Sequence, residues 1–456
     1  MSNLFRTLIQ VEQSVVKRTA LLCLAGALTL LPLSWPGDVG AQAQSPAEPR
    51  TIVVRALRML DVKSGAFLED VAIHVEGERI KAVGPAVQIL KQLPGVPVLD
   101  LGSATLLPGL IDCHTHLLAR IPHGAGGYAL NLATKSEADR ALEGVANARV
   151  TLEAGFTTVR DVGNEGSGYA DVALRKAIDG GLVDGPRMRV ATRAIAAIGQ
   201  YEPFGISADL AGFPTGAQNI SGVDEARRAV REQIGHGADL IKVYADWDAP
   251  TLTSAELQTI VEEAHKAGRK VAAHATTREG IRNAVAVGVD SIEHGNRADR
   301  VTLELMRAKG IYLVPTLSIM DAWAAESPQS AASPRLKEFM ESSRQTVEIA
   351  HALGVKIANG SDPTSSDRHG KNAEELLSLT KRGLNAIEAI RAATTLAADL
   401  LGMSADVGTL EPGKYADLIA VDGDPLQDLG TLLHVKFVMK GGRVIKREGL
   451  TGQTVR

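Results

Sequence analysis

The sequence has few cysteines, few aromatic residues and little net charge. Only two of the 456 residues are Cys, and Cys23 lies in an N-terminal segment that we expect to be removed. Cys113 would then be the only Cys left, which excludes an internal disulfide and predicts a small buried apolar residue rather than a nucleophile. The net charge of −4 gives no basic surface of the kind that binds nucleic acid. Stability must therefore come from a large core.

The first 43 residues are predicted to be a secretory signal peptide. Lys17 and Arg18 precede a short apolar run, residues 19–33, and Ala41-Gln42-Ala43 is a small-residue cleavage site. The apolar run is too short to span a bilayer comfortably. We therefore expect an exported protein, periplasmic or secreted, without a stable membrane anchor after cleavage. An uncleaved anchor helix is the alternative.

Two β-rich ends flank an α/β body. Residues 51–106 and residues 406–447 contain short β-rich segments separated by turn residues, and we expect them to pair into one composite β-sandwich domain. Strand and helix patterns alternate between them, in residues 107–405. Eight predicted strands, the first covering residues 105–113 and the last residues 356–358, favour a closed (β/α)8 TIM barrel. An open doubly wound sheet is the alternative.

The helices of this body carry recognisable start signals. Thr253 and Glu256 have the spacing of a capping box, and apolar residues follow at helical spacing until Gly268. Ser221 is predicted to cap the preceding helix in the same way. These signals support an alternating order of strands and helices.

Residues of the types that bind metals lie at or near the C-terminal ends of the predicted strands. Active sites of (β/α)8 barrels lie at the C-terminal ends of the strands, where side chains from several strands converge. Two histidines separated by one residue point to the same face of a strand and could bind one ion. The sequence therefore predicts a metal site at this end of the barrel, formed by His114, His116, Lys242, His274, His294 and Asp362.

Lys242 lies in an apolar strand, Leu240-Ile241-Lys242-Val243-Tyr244. Burial disfavours an ammonium group and therefore lowers the pKa of the lysine toward the neutral amine. A neutral amine can react with carbon dioxide to give a carbamate, whose two oxygens can bridge two metals. The alternative is a Lys242 that reaches the surface or pairs with Asp246.

Four motifs make the resemblance to a known family specific. Residues 107–116 (LPGLIDCHTH) resemble the first-strand motif of the amidohydrolase superfamily, and residues 408–418 (GTLEPGKYADL) are similar to its return into the β-sandwich domain. Residues 157–161 (TTVRD) and 291–295 (SIEHG) resemble its imidazolonepropionase-like branch, with prolidases and carboxypeptidases. The resemblance covers residues 51–447. It is strongest to members with a carboxylated lysine, which cleave C-terminal residues from dipeptides and N-acyl amino acids and include ochratoxin-hydrolysing enzymes.

The resemblance implies a binuclear centre. His114, His116 and Asp362 would bind one divalent metal, His274 and His294 the other, and carboxylated Lys242 would bridge the two together with a hydroxide. Zn²⁺ is the expected metal, with Mn²⁺ or Co²⁺ as substitutes. The expected substrates are small amides or dipeptides, and family relatives suggest a homo-oligomer.

Four residues are candidates for catalysis or substrate binding. Asp362 would carry a proton from the attacking hydroxide to the leaving nitrogen. Tyr244 could bind a substrate carboxylate or the oxyanion, and Arg160 is a second candidate for the carboxylate. Alternatively, Tyr244 only packs and Arg160 pairs with Asp161. His369 follows the last predicted strand, on an expected active-site loop.

The predicted function is hydrolysis of an amide that releases a C-terminal residue, with ochratoxin A among the candidate substrates. Residues 117–131 and 196–219 include Tyr201, Phe204 and Phe213, which favour a pocket for a hydrophobic residue, aromatic residue or Pro. A mononuclear deaminase or cyclic-amide hydrolase is the enzymatic alternative, against which Lys242 argues. A metal-binding protein without turnover is the other, against which Asp362 argues.

The predicted signal peptide has a direct test. Cleavage after Ala43 should leave a chain that begins at Gln44. N-terminal sequencing of the protein recovered from the periplasm or medium of an expressing bacterium checks this. A chain that retains residues 1–43 in the membrane fraction would support the anchor helix instead.

Overall fold

The computed structural model describes residues 51–124, 126–201, 207, 209–210, 212–247, 249–326, 333–449 and 454–455. The predicted signal peptide lies outside this part of the chain. No helix within the described ranges is both long and apolar enough to cross a membrane.

Eighteen strands are assigned in the described residues. In chain order they are β1 (Thr51–Asp61), β2 (Ala66–Glu76), β3 (Arg79–Pro85), β4 (Val98–Asp100), β5 (Thr105–Pro108), β6 (Leu110–Thr115), β7 (Phe156–Asp161), β8 (Arg187–Val190), β9 (Ala194–Ala197), β10 (Ala217–Ile220), β11 (Leu240–Tyr244), β12 (Lys270–Ala275), β13 (Ser291–His294), β14 (Tyr312–Val314), β15 (Leu418–Val421), β16 (Phe437–Lys440), β17 (Arg443–Arg447) and β18 (Thr454–Val455).

The helices lie mostly between the strands of the central body. They cover Ala86–Gln92, Gly127–Thr134, Glu137–Glu153, Ala170–Asp179, Val223–His236, Ser254–Lys266, Arg278–Val287, Arg300–Lys309, Leu317–Glu326, Pro334–Leu353, Glu374–Thr380, Ala386–Ala392 and Thr395–Leu400, with a 3-10 helix at Leu429–His434.

Both chain ends contribute to one nine-stranded mixed sheet. β1 pairs antiparallel with β2 and parallel with β4 and β5. β5 also pairs antiparallel with β15, from Leu418 opposite Pro108 to Val421 opposite Thr105. This pairing joins the N-terminal strands to the C-terminal ones, and buried apolar residues such as Ile73 cover the sheet.

The central body contains two parallel sheets. One has six strands in the order β10-β9-β11-β12-β13-β14, and the other has three in the order β6-β7-β8. The described strands therefore do not form the single closed ladder that was predicted. Isolated backbone hydrogen bonds lie in the two gaps between these sheets, one between β8 and β11 and the other between β14 and β6. Asp239 N donates to Val190 O at 2.8 Å, and within residues 356–359 carbonyl oxygens accept from Leu313 N at 2.9 Å and Cys113 N at 2.8 Å.

The strands differ from the predicted ones at three places. The first predicted barrel strand is divided at Gly109 into β5, which belongs to the nine-stranded sheet, and β6. The predicted strand at residues 356–358 forms only an isolated bridge, which pairs Ile357 with Leu313. The short strands β9 and β10 were not predicted, since their sequences lack a run of β-branched residues.

Helix starts confirm one sequence signal and correct another. Thr253 and Glu256 form a reciprocal capping box before the helix Ser254–Lys266. Ser221 does not cap the preceding helix, which begins at Val223 after Gly222 without a side-chain cap. Glycine at this position keeps a φ of 92°, which other residues rarely adopt.

Gly109 should tolerate no side chain, because a Cβ there would lie 2.1 Å from Thr157 Oγ1. Gly109→Ala should therefore lower the free energy of unfolding by about 1–3 kcal/mol. Gly84→Ala is the matched control, since a Cβ there meets nothing within 4 Å. Chemical unfolding of both variants checks this, and an equal loss in both would contradict it.

Candidate active site

The six predicted metal ligands converge on one cavity. His114, His116, Lys242, His274, His294 and Asp362 all line a cavity of about 310 Å³. His114 lies in β6, Lys242 in β11, His274 in β12 and His294 at the end of β13, so parallel strands carry these side chains to a common edge. Asp362 reaches the same place because its backbone N donates to His114 O at 2.9 Å.

The donor atoms are close enough for metal binding. Nitrogens of His114 and His294 and an oxygen of Asp362 all lie within 4.8 Å of one another. Asp362 Oδ1 is 3.3 Å from His116 Nε2 and 3.7 Å from His114 Nε2, and the ring centroids of His274 and His294 are 4.6 Å apart. Imidazole nitrogens with a carboxylate oxygen form a donor set that zinc prefers, so these residues fit a divalent metal.

The second ring nitrogen of three of these histidines is occupied by the protein. His114 Nδ1 lies 2.8 Å from Glu293 Oε2, His116 Nδ1 donates to Gly163 O at 2.8 Å, and His294 Nδ1 lies 2.6 Å from Thr316 Oγ1. Such contacts fix the orientation of a metal-binding ring and leave Nε2 for the ion. The histidines are therefore held ready to bind.

The backbone around the site is strained. Non-glycine residues rarely adopt positive φ, yet His294 has a φ of 69°, Asp362 of 53°, Thr316 of 50° and Glu165 of 50°. Strain of this kind persists only where the surrounding structure enforces it, and it is concentrated at functional sites. Here it turns the side chains of His294, Asp362 and Glu165 into the cavity.

Burial keeps three imidazoles neutral. It lowers the pKa of His294 to about 4 and holds the pKa values of His114 and His274 well below their usual range. Although burial acts against it, the hydrogen bond to Asp362 and the charge of Glu165 raise the pKa of His116 to about 9. Neutral imidazole is the form that binds a metal, and cation binding would compete with the proton on His116.

Lys242 is buried in the cavity wall. Burial lowers the pKa of its amine to about 8, which increases the neutral fraction at physiological pH. Its Nζ lies 5.7 Å from the ring centroid of Tyr244. Asp246, the alternative ion-pair partner, instead accepts hydrogen bonds from Thr276 N and Thr277 N. Burial therefore favours the neutral amine that the expected carbamate formation would need.

Of the other candidate residues, Tyr244 lines the cavity and Arg160 does not. Tyr244 lines the cavity and stacks on Tyr201, with ring centroids 4.2 Å apart. Arg160 does not line it, because its buried guanidinium donates to Cys113 O and to Glu293 Oε1 at 2.8 Å. The predicted contact of Arg160 with a substrate carboxylate, and the alternative pairing with Asp161, are therefore replaced by a structural ion pair.

His369 also lies outside the cavity wall. Its ring is buried, and Nε2 donates to Ala119 O at 2.8 Å. Ile121 N donates to Thr364 O at 2.8 Å nearby, so the loops after β6 and around His369 are tied together. His369 therefore supports the loop rather than facing a substrate.

Two glutamates of the site were missed from the sequence. Glu293 contacts His114 and Arg160, and Glu165 lines the cavity beside His116. Glu293 precedes a predicted ligand directly, which could have identified it. Glu165 lies four residues beyond the end of β7, and only the position of strand C-terminal ends could have pointed to it.

The fold and the site together define a protein of parallel strands with a cavity of metal-binding residue types at their C-terminal ends. Residues 105–445 match the model of the Amidohydrolase family, and the chain belongs to that family. It is 32% identical to ochratoxinase of Aspergillus niger over 419 residues, which cover 85% of each chain. It is 26% identical to imidazolonepropionase of Symbiobacterium thermophilum over 426 residues, 85% of this chain and 93% of the relative.

A solved structure shares the architecture. A Xaa-Pro dipeptidase crystallised with methionine in its active site superposes with a TM-score of 0.77 at 32% identity, covering 86% of this chain and 99% of that one. The predicted superfamily is confirmed, and the protein is a hydrolase acting on C–N bonds.

The buried His369 should make stability depend on pH. Burial lowers its pKa to about 4, against about 6.5 in an unfolded chain. The unfolded state therefore binds the proton more readily, and stability is lost as pH falls from about 6.5 toward 4. In His369→Gln, the loss in unfolding free energy between pH 7 and pH 5 should be smaller by about 1–2 kcal/mol.

Chemical unfolding at both pH values measures this difference. His434→Gln is the control, because it removes an exposed imidazole instead of a buried one. A His369→Gln variant with the full wild-type pH dependence would contradict the role assigned to burial.

Proposed function

We propose that the chain is a binuclear hydrolase that releases a C-terminal residue from dipeptides or N-acyl amino acids. The observation that supports this most is the convergence of all six expected ligands on one buried cavity. The relatives named ochratoxinase and Xaa-Pro dipeptidase act in keeping with such a reaction. Ochratoxin A is accordingly one substrate to test.

We infer that His114, His116 and Asp362 would hold one divalent ion and His274 and His294 the other, with carboxylated Lys242 as a ligand of both and Zn²⁺ favoured by the imidazole-rich set. When bound, the ions would supply the Lewis acidity that activates the amide carbonyl and the attacking water. Asp362 then carries the proton to the leaving nitrogen. Before the reaction its carboxylate is ionised and can accept that proton, because the nearby His114 and His116 outweigh burial and hold its pKa far below the usual range.

An aromatic wall lines the cavity beside the ligands. It consists of Tyr128, Tyr201, Tyr244 and Trp247. Tyr201 is 5.3 Å from Trp247 between ring centroids, and Trp247 stacks on His274 at 4.8 Å. Large apolar faces favour a hydrophobic or aromatic leaving residue, or Pro.

Of the aromatic residues that the sequence suggested for the pocket, only Tyr201 is placed in it. Phe213 is not part of the cavity wall, and Phe204 lies outside the described residues. The tyrosine and tryptophan side chains of the aromatic wall, rather than Phe213, are therefore the basis of the proposed substrate preference.

A mononuclear deaminase or cyclic-amide hydrolase is the second candidate. The donor atoms of His114, His294 and Asp362 already lie within 4.8 Å, which is enough for one ion without Lys242. The proposal of two ions therefore depends on Lys242.

Three further proposals complete the assignment. We propose that the two parallel sheets act as one barrel, supported by the hydrogen bonds from Asp239 N to Val190 O and from Cys113 N to Asn359 O. We propose that residues 1–43 direct export to the periplasm or medium. We also propose a homo-oligomer, as expected of the family.

Lys242→Ala should abolish both amide hydrolysis and binding of the second ion. Lys270→Ala is the matched control, because Lys270 begins a strand at the end remote from the site and bonds to carbonyl oxygens at the surface. Metal content per chain and hydrolysis of Xaa-Phe, Xaa-Pro, Xaa-Leu and Xaa-Arg dipeptides, N-acyl amino acids and ochratoxin A would be measured. Metal uptake by metal-stripped protein should also increase with bicarbonate.

Two outcomes separate the candidates. About two ions per chain in the wild type, with activity lost only in Lys242→Ala, supports the binuclear reaction. The mononuclear alternative would be favoured by one ion per chain and no amide turnover in the wild type, together with an unchanged metal content in Lys242→Ala.

A further inference from the structure

Glu165 places a carboxylate in the cavity wall beside the predicted ligands. Its side chain is 4% exposed, and its φ of 50° turns it inward from the loop after β7. Tyr128 Oη donates to Glu165 Oε2 at 2.9 Å, and Tyr201 Oη donates to the same oxygen at 2.8 Å. Two phenols thus fix the orientation of the carboxylate through one of its oxygens.

The other oxygen, Oε1, keeps its capacity to accept. Its nearest polar contact among the described residues is His116 Nδ1, at 3.3 Å. The proton on that nitrogen is directed to Gly163 O at 2.8 Å. Within the described part of the chain, Glu165 Oε1 therefore receives no hydrogen bond of good geometry. A donor from outside the chain can therefore pair with this oxygen, and such a donor is favourable once a bound substrate excludes water from it.

The wall offers little positive charge to Glu165. Lys242 is the one Lys or Arg side chain among the described lining residues. Among the described residues, no Lys or Arg side chain forms an ion pair with Glu165, whose recorded contact is with His116. An ammonium group of a substrate would supply the positive charge that this carboxylate lacks.

Aromatic faces surround the same place. The Tyr201 ring lies 5.9 Å from Tyr128 and 4.2 Å from Tyr244 between centroids. A carboxylate beside tyrosine faces attracts ammonium groups, because the ring quadrupole and the negative charge act on the cation together. The chemistry that fits this corner is a primary ammonium with three donors.

We propose that Glu165 binds the free α-ammonium group of a dipeptide, so that the enzyme prefers unblocked dipeptides to N-acyl amino acids. This inference rests on the proposed amide hydrolysis and chooses between its two substrate classes. The ammonium donates to Oε1 while the adjacent carbonyl faces the ligand cluster. An N-acyl amino acid without this group leaves Oε1 buried and unpaired, which discriminates against it.

The sharpest substrate pair is Ala-Phe and propionyl-Phe, which differ only in the ammonium group. In the metal-loaded wild type, kcat/KM should favour Ala-Phe by at least about 100-fold, because sites that pair a substrate donor reject analogues lacking it by up to about 10⁴–10⁵-fold. In Glu165→Gln this ratio should fall at least tenfold, mainly through a higher KM for Ala-Phe. In Glu165→Asp, which keeps the charge but places it farther from the substrate, the ratio should fall less.

Glu293→Gln is the matched control. Glu293 contacts His114 as Glu165 contacts His116, but it lies outside the cavity wall. Loss of ligand support should slow both substrates together, so the ratio should stay at the wild-type value. Metal content would be measured for each variant, because a fall in bound metal also affects both substrates alike.

The outcomes are distinguishable. A wild-type ratio near one, or a ratio unchanged in Glu165→Gln, overturns the ammonium site and leaves Glu165 as a support for His116. Hydrolysis of neither substrate by protein with bound metal overturns the proposed function itself. The wild-type comparison requires no variant and therefore tests the inference even if Glu165→Gln does not fold.

Discussion

The buried contacts of Glu293 join the two parallel sheets at the site. Glu293 lies on β13, and its two oxygens contact His114 of β6 and Arg160 of β7, each at 2.8 Å. Arg160 also donates to Ser291 Oγ and to Cys113 O, so its guanidinium joins three strands. Removal of one member of a buried ion pair typically costs about 3–5 kcal/mol, because the other charge is left unpaired. The position of His114 therefore depends on this network.

Charge at the site is organised by burial and by proximity. Desolvation keeps His274 and His294 neutral and lowers the pKa of Lys242 to about 8, whereas the neighbouring imidazoles hold Asp362 ionised. The same cavity thus contains neutral imidazoles, one amine with a lowered pKa and the carboxylates of Asp362 and Glu165. This distribution follows from where the strands end rather than from any single residue.

The convergence of the six predicted ligands could be foreseen, because strand geometry determines which side chains share a face and an edge. Side chains alternate along a strand, so His114 and His116 share a face, and parallel strands end at one edge. The position of Arg160 could not be predicted, because its partner Glu293 is distant in sequence. Glu165 depends on a positive φ, on Tyr128 from the helix Gly127–Thr134 and on Tyr201 from a separate loop, which no local pattern reveals. The division at Gly109 likewise depends on the close approach of Thr157.

The antiparallel pairing of β5 with β15 has a consequence for biogenesis. Residues 105–108 have β1 on one side, but their other edge is completed only by residues 418–421. A ribosome makes these two segments more than three hundred residues apart, so the sheet must remain open at β5 until nearly the whole chain has been synthesised. In a chain that is exported unfolded, this late closure would keep the polypeptide competent for translocation, and the sheet would be completed on the far side of the membrane.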